Sequence, residues 1–309
     1  MSVQISAIIC THNRAGYLSK ALQSLVNQSL LKEQFEILVV DNKSTDTTQQ
    51  VVCEEFAFVP NLRYFYDPIL GLSQARNTGW RNASGEYIAY LDDDAIACPQ
   101  WLERILDAFS KAVPQPGGVG GKVEPIWEVP RPDWLPDPLL SYLTIVDWSE
   151  VPTTLDDWRY IAGANMAFPK FILDTIGGFP MNLGRQGNQL LSNEEICMRD
   201  QIKSRGYTIY YHPEIVVKHH VPASRLTQDW FIRRLYWQGI SEAYLLRYQE
   251  SPSIFKRLSL GFGKLKNILK YPQKLAYIFL PSTNSNRLLD KCSISSEIGY
   301  IFGLLNPGL

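Results

Sequence analysis

Ser84-Gly85-Glu86-Tyr87-Ile88-Ala89-Tyr90-Leu91-Asp92-Asp93-Asp94 is the stretch on which the reading of this chain turns. A short apolar run, Tyr87 to Leu91, empties directly into three consecutive aspartates. Its length and bulky residues predict a buried strand. Side chains alternate along a strand, so Asp92 and Asp94 would point to one side and Asp93 away from it. Carboxylates this close raise one another's pKa unless a cation neutralises them. Mg²⁺ or Mn²⁺ is the simplest neutraliser, because both take oxygen ligands and bridge carboxylates to substrate phosphates. A solvated acidic turn is the plainer alternative for the cluster taken alone.

Working outward, the same pattern recurs. Ile5 to Cys10 is an apolar run that stops at Thr11-His12-Asn13-Arg14, and Phe35 to Val40 is another that stops at Asp41-Asn42. Leu62 to Tyr66 reads as a further strand. Helical spacing follows each: Tyr17 to Val26, about Thr48 to Phe56, and a helix starting at Ser73 to Gly79. Alternating strands and helices predict an α/β fold with a parallel sheet covered on both faces. Such sheets bind ligands at the carboxyl ends of their strands, which is where the three polar clusters fall. Downstream we expect a helix at Trp101–Phe109, a loop at Val113–Gly121, and a strand at Gly120–Ile126. An irregular Trp- and Pro-rich loop is expected at Trp127–Trp148, and a strand at Ile161–Phe168. A helix should follow at Pro169–Ile176 and another at Glu194–Arg205. Two short strands, Tyr207–Tyr211 and Ile215–Val217, would be separated by a turn at His212-Pro213.

The chain has 309 residues and a formal net charge of -1, which gives no reason to expect nucleic acid. Its five cysteines are odd in number and form no C-x-x-C pair, so reduced thiols in a cytoplasmic protein are expected. No signal peptide or membrane-spanning run is read at the start or elsewhere. Between Ser251 and Arg287 there is no Asp or Glu, but seven Lys or Arg, including Lys256, Lys264, Lys266 and Lys270. That asymmetry predicts a basic helical extension over 223–309, with peripheral membrane contact through 253–280, at the inner face of the plasma membrane. The helical stretch 228–247 is expected to pack as a cap, and Gly303 to Leu309 to fray.

Four segments carry a more specific likeness: Ser6 to Arg14, Leu38 to Asp46, Gly71-Leu72-Ser73-Gln74-Ala75-Arg76-Asn77-Thr78-Gly79, and Ser84 to Asp94. In order and spacing they resemble the family 2 glycosyltransferases of the GT-A fold, over about residues 4–220. The resemblance implies a Rossmann-like, mostly parallel central sheet with flanking helices. Residues 1–100 would form the nucleotide-sugar half, 101–222 the acceptor half, and 223–309 the helical tail. It also implies roles. Thr11, Asn13 and Arg14 would line the nucleotide and pyrophosphate pocket, and Asp41 would recognise the base. Arg76 would lie near the phosphates, with Asn77 supporting its loop. Asp92 would contact ribose or metal, Asp93 would support it, and Asp94 would hold Mn²⁺ or Mg²⁺. A UDP-sugar is the favoured donor, and a glycan or lipid-linked molecule the acceptor, in cell-surface or extracellular polysaccharide synthesis.

An inverting transfer needs a general base for the acceptor hydroxyl. Glu194 and Glu195 open a predicted helix, and the family pattern is Glu-Asp, so Glu195 falls at the base position with a longer arm. A helix N-terminus favours carboxylates in any case. Asn165, in Gly163-Ala164-Asn165, is a candidate acceptor contact. Of His219 and His220, His219 is the candidate metal ligand, its imidazole suiting Mn²⁺ better than Mg²⁺. Other readings are a nucleotidyltransferase of similar fold, which would want a Gly-rich phosphate loop that Thr11 to Gly16 lacks, a degenerate glycan-binding module, and a glycosidase. The last would use paired carboxylates but has no use for Asp41.

Overall fold

The computed structural model describes residues 2–270 and 284–306. The chain divides into two compact units: Met1–Ile126 with Thr144–Phe179 and Glu195–His220, and Trp127–Leu143 with Pro180–Glu194 and Val221–Leu309.

The first unit is built on a nine-stranded sheet. Strands β1 (Ile5–Thr11), β2 (Phe35–Asp41), β3 (Leu62–Tyr66) and β4 (Tyr87–Asp92) lie in the order β3-β2-β1-β4, all parallel. Beyond β4 the sheet continues with β8 (Asn165–Pro169), β6 (Gly118–Trp127), β9 (Ile209–Val221) and β5 (Ala95–Ala97), while β7 (Thr153–Thr154) pairs with β9. β8 runs antiparallel to β4 and β6, and β5 and β7 antiparallel to β9.

Period-two alternation explains why both faces are covered. Ile5, Ala7, Ile9, Ile37, Val39, Ala89 and Leu91 pack into one apolar cluster, with Leu18, Leu22 and Leu25 of α1 (Ala15–Val26) and Trp101, Leu102 and Ile105 of α4 (Trp101–Lys111). Ile8, Leu38, Val40, Ile88 and Tyr90 enter the other, with Ala75 and Trp80 of α3 (Leu72–Asn82) and Ile172 of α5 (Lys170–Ile176). The segment after β2 is helical, but it widens from an α-turn, α2 (Thr48–Gln50), into a π-turn over Val51–Glu55.

Four expectations between residues 113 and 221 need correction. β6 begins at Gly118, inside the expected loop, because glycine there permits close backbone approach. A Cβ on Gly121 would run into the Ile215 carbonyl. β8 begins at Asn165, since Ile161 to Ala164 lead into a turn at Gly163-Ala164. β9 is one strand of 13 residues, where two were expected. Pro213 lies between the part paired with β7 at Tyr210–Tyr211 and the part paired with β5 at Val217–His219, so its missing N–H breaks neither ladder. Within the expected irregular loop, Asp137–Leu143 forms a 3₁₀ helix that buries Leu139 and Leu143.

Among its described residues the second unit contains three long helices: α7 (Gln228–Glu250), α8 (Ile254–Lys270) and α9 (Ser285–Leu305). Thr227 and Asn284 cap α7 and α9, accepting from the N–H groups of Trp230 and Arg287 at 3.2 and 2.9 Å. α7 and α9 cross glycine to backbone. A Cβ on Gly239 would collide with the Ser296 carbonyl, and one on Gly299 with the Tyr236 carbonyl. The expected fraying from Gly303 is not seen through Leu305: the helix persists, and Leu304 is buried. Residues 271–280 and 307–309 of the expected membrane and frayed segments lie outside the described residues. Among the described residues no helix is long and apolar enough to cross a membrane.

Candidate functional site

Register brings the first candidates together. Thr11 pairs with Asp41 across β1 and β2, and Cys10 with Asp92 across β1 and β4. The carboxyl ends of three neighbouring parallel strands are therefore level to within a residue, which brings Thr11, Asp41 and Asp92 to one edge of the sheet.

The loops beyond them are stitched to one another. Asn13 sits in the left-handed region at φ 53, which a short polar side chain tolerates. Its backbone N–H donates to Ser44 Oγ at 2.9 Å, and its Oδ1 accepts from the Thr45 N–H at 2.7 Å. Asp41 is buried; its Oδ1 accepts from the Ser44 N–H at 2.8 Å and its Oδ2 from the Tyr64 hydroxyl at 2.7 Å. Burial, then the Asp41 carboxylate, raises the pKa of Tyr64, so it stays a donor. Asp46 accepts from the N–H of Ala15 at 3.1 Å, tying the loop after β2 to the first turn of α1. Asp67 accepts from Thr78 at 2.5 Å and from Gln74 at 2.9 Å, fixing α3. Asp67 and Tyr64 were not singled out in the sequence; the only local signal was the Asp67-Pro68 turn at the end of β3.

The aspartates do not divide as alternation predicts. The strand ends at Asp92, and Asp93 and Asp94 form the turn into β5. Arg14 Nη1 stands 3.0 Å from Asp93 Oδ1 and 2.6 Å from Asp94 Oδ2. Asp93 is therefore buried against Arg14 and does not point away. Burial, with the charges of Asp94 and Asp92, pushes Asp93 up to about 7 against the pull of Arg14. Burial opposes the charge of Arg14, but Asp93 and Asp94 more than offset it and raise its pKa.

On the other side of Asp94, Oδ1 lies 3.2 Å from His219 Nε2. The pairing of Ala95 with His219 across β5 and β9 creates this contact. Asp92, Asp94 and His219 each offer one ligand atom, and these atoms lie within 4.8 Å of one another. His219 Nδ1 is buried without a hydrogen-bond partner. Two carboxylate oxygens and an imidazole nitrogen fit a divalent ion such as Mn²⁺. His220, beside it, packs on Tyr17 with ring centroids 4.8 Å apart and the planes tilted by 49°.

Arg76 links the cluster to the candidate base. It is 2% exposed, with Nη2 3.7 Å from Asp92 Oδ1 and Nη1 3.9 Å from Glu195 Oε1. Its guanidinium carbon lies 5.3 Å from the centre of the Phe179 ring. Its helix is anchored by Asn77, whose Nδ2 donates to the Phe179 carbonyl at 2.8 Å and whose Oδ1 accepts from the Phe179 N–H at 2.9 Å. Glu195, on the first turn of α6 (Glu194–Ser204), has a side chain 19% exposed, whereas Glu194 is buried at 3%. Between Arg76 and Glu195 passes Gly163, where a Cβ would meet both side chains. Asn165 belongs to the framework: fully buried, its amide is taken up by Trp101 Nε1 and the carbonyls of Lys122 and Ile215.

Comparison with known proteins finds a family and a fold. The family model for glycosyl transferase family 2 matches residues 6–162. A glucosyl-dolichyl phosphate glucuronosyltransferase of Haloferax volcanii is 26% identical over 324 residues, 99% of this chain and 98% of the relative. Among solved structures, the mannosyltransferase PcManGT from Pyrobaculum calidifontis, in complex with GDP-Man and Mn²⁺, superposes with a TM-score of 0.67 at 21% identity. That match covers all of this chain and 89% of the other. The S. aureus TarS 1-349 fragment with UDP-GlcNAc gives 0.57 at 16% identity, covering 96% and 90%. At these identities the structural likeness shows a shared GT-A fold.

Proposed function

This chain belongs to the family 2 glycosyltransferases, and from that premise we propose that it carries out an inverting, metal-dependent transfer of a sugar from a nucleotide-diphosphate sugar to a lipid-linked acceptor. The observation that carries the reading is the convergence of Asp92, Asp94 and His219 beside two arginines, Arg14 and Arg76. Residues 1–100 supply the donor side and 101–222 the acceptor side. The lipid-linked acceptor is supported by the full-length similarity to an enzyme named for a dolichyl phosphate substrate. A UDP-sugar remains the favoured donor, a role in surface polysaccharide assembly the favoured setting, and the cytoplasmic face of the membrane the favoured place.

Asp92, Asp94 and His219 would hold Mn²⁺ or Mg²⁺, which when bound neutralises charge on the departing diphosphate. Thr11, Asn13 and Arg14 line the nucleotide and pyrophosphate site, and Asp41 faces the base. Arg76 stabilises the oxygen that accepts the electrons of the broken bond from the anomeric carbon. Glu195 takes the proton of the acceptor hydroxyl as that oxygen attacks. The greater exposure of Glu195 than of Glu194 supports assigning it as the base. Asp93 keeps Arg14 in place.

Incubation with a panel of nucleotide sugars and a polyprenyl-phosphate-linked acceptor tests the proposal. We expect free nucleoside diphosphate and a glycosylated lipid; a nucleotidyltransferase would instead release pyrophosphate from a nucleoside triphosphate and a sugar 1-phosphate supplied in a parallel incubation. Glu195→Gln should lower turnover by about 10²–10⁴-fold while leaving donor binding intact. The same loss from Glu194→Gln alone would reassign the base.

A further inference from the structure

Helix α8 is amphipathic in a way its packing does not use. At about 100° per residue, Ile254, Leu258, Leu265, Leu269, Phe262 and Phe255 fall within an arc of about 100°. All six are exposed, Phe255 at 80% and Phe262 at 70%. The helix is held to α9 by a different side. Gly261 faces Ile301, whose Cγ2 a Cβ at Gly261 would meet at 3.9 Å, Arg257 Nη1 donates to the Leu304 carbonyl at 3.4 Å, and Lys264 lies 5.3 Å from the centre of the Tyr300 ring. Ordinarily the apolar arc of a helix is the arc it buries. Here the buried side is the one carrying Gly261 and Ile268, and the apolar arc is turned outward.

α9 presents a second stripe, Ile298, Phe302 and Leu305, each more than 40% exposed. The two helices are antiparallel, since 257 meets 304 and 264 meets 297. Each turns its stripe about 110° from its neighbour in the same rotational sense about its own axis. In an antiparallel pair that brings both stripes out on one side. The result is a single apolar face across two helices of the second unit.

Charge says what covers it. The sequence from 251 to 289 contains no Asp or Glu, and Lys266 and Lys270 border the arc on one flank. Phenylalanine and leucine on an exposed arc with lysines at its border match the acyl boundary and the headgroups of an anionic bilayer. We propose that the exposed face formed by Phe255, Leu258, Phe262, Leu265 and Leu269 of α8 with Ile298, Phe302 and Leu305 of α9 docks this protein onto an anionic membrane leaflet, with Lys266 and Lys270 at its border meeting the lipid phosphates. The surface is read from the second unit alone and does not rest on the reaction proposed above.

Co-sedimentation of the full chain with vesicles tests it. The protein should pellet with vesicles of equal parts phosphatidylcholine and phosphatidylglycerol, and much less with phosphatidylcholine alone. Phe255→Ser with Phe262→Ser should weaken partition at least about tenfold, and Lys266→Glu should weaken it while preserving the apolar face. Both variants should melt as the wild type does and release nucleoside diphosphate from a soluble donor at the wild-type rate. Unaltered partition of the double variant would overturn the proposal. So would equal binding to neutral vesicles, or a soluble dimer of the wild type that the double substitution dissolves, since a second copy would then be the occupant.

Discussion

Arg76 is a full positive charge with 2% of its surface in water. Desolvating such a group costs several kcal/mol, about what two flanking carboxylates and an aromatic face must offset. Asp92, Glu195 and Phe179 provide them, and the spacing between these groups is set by a glycine. Gly163→Ala would push a methyl group between the guanidinium and the Glu195 carboxylate. We expect turnover to fall on the order of 10²-fold and stability to fall by about 1–3 kcal/mol, checked by steady-state kinetics and thermal melting. Asp92 and Asp94 were legible in the sequence because consecutive charges after an apolar strand demand a counterion. Gly163 stood in a quoted motif, yet its importance was not legible, because it depends on two side chains 87 positions upstream and 32 downstream that only the fold brings together. The pairing of Asp93 with Arg14 was missed for a related reason: alternation holds along a strand, and the strand stops at Asp92.

At the scale of the element, the parallel strands hold the site level, and Glu36 holds the strands. This residue is buried on β2, accepting from Ser6 at 2.7 Å, from Arg63 at 2.8 Å and from the Ser84 N–H at 2.5 Å. It thereby joins β1, β2 and β3 with the loop before β4. Burial works to raise its pKa, but the Ser84 N–H, Arg63 and Ser6 together hold it below its ordinary value of 4.5. A carboxyl whose pKa is depressed by folding contributes stability that is fully present above the unfolded value. That contribution is lost as pH falls through the folded value. The wild type should therefore lose stability on acidification below about pH 4.5, and Glu36→Gln should flatten that limb. At neutral pH the substitution should cost about 1–3 kcal/mol, measured by denaturant unfolding across pH. Elements with one clear period were legible: β1, β2, β4, α1 and α4 fall where their apolar spacing puts them. β6 and β9 were not, because Gly118 to Gly121 and Pro213 read locally as breaks. In the folded sheet the glycines admit a neighbouring strand, and the proline falls between two ladders.

Across the whole molecule, the second unit depends on glycine as the site does. Gly239 and Gly299 let α7 and α9 approach backbone to backbone. Gly299→Val should destabilise this unit by at least about 1–3 kcal/mol, seen as a lower melting temperature, while leaving the Asp92–Asp94–His219 geometry of the first unit unchanged. Sequence patterning made the basic, helical character of this region legible, since charge asymmetry needs no contacts to be seen. Which arc of α8 is buried was not legible, because that depends on where α9 lies. In the first unit, Asp92, Asp94 and His219 would form the metal corner of a nucleotide-sugar site. Calorimetric titration of UDP and of GDP, with and without Mn²⁺, into the wild type and Asp94→Ala tests it most directly. One nucleotide should bind the wild type only when Mn²⁺ is present, and Asp94→Ala should stay folded but lose this binding. Equal affinity without Mn²⁺, or undiminished Mn²⁺-dependent binding in Asp94→Ala, would contradict it.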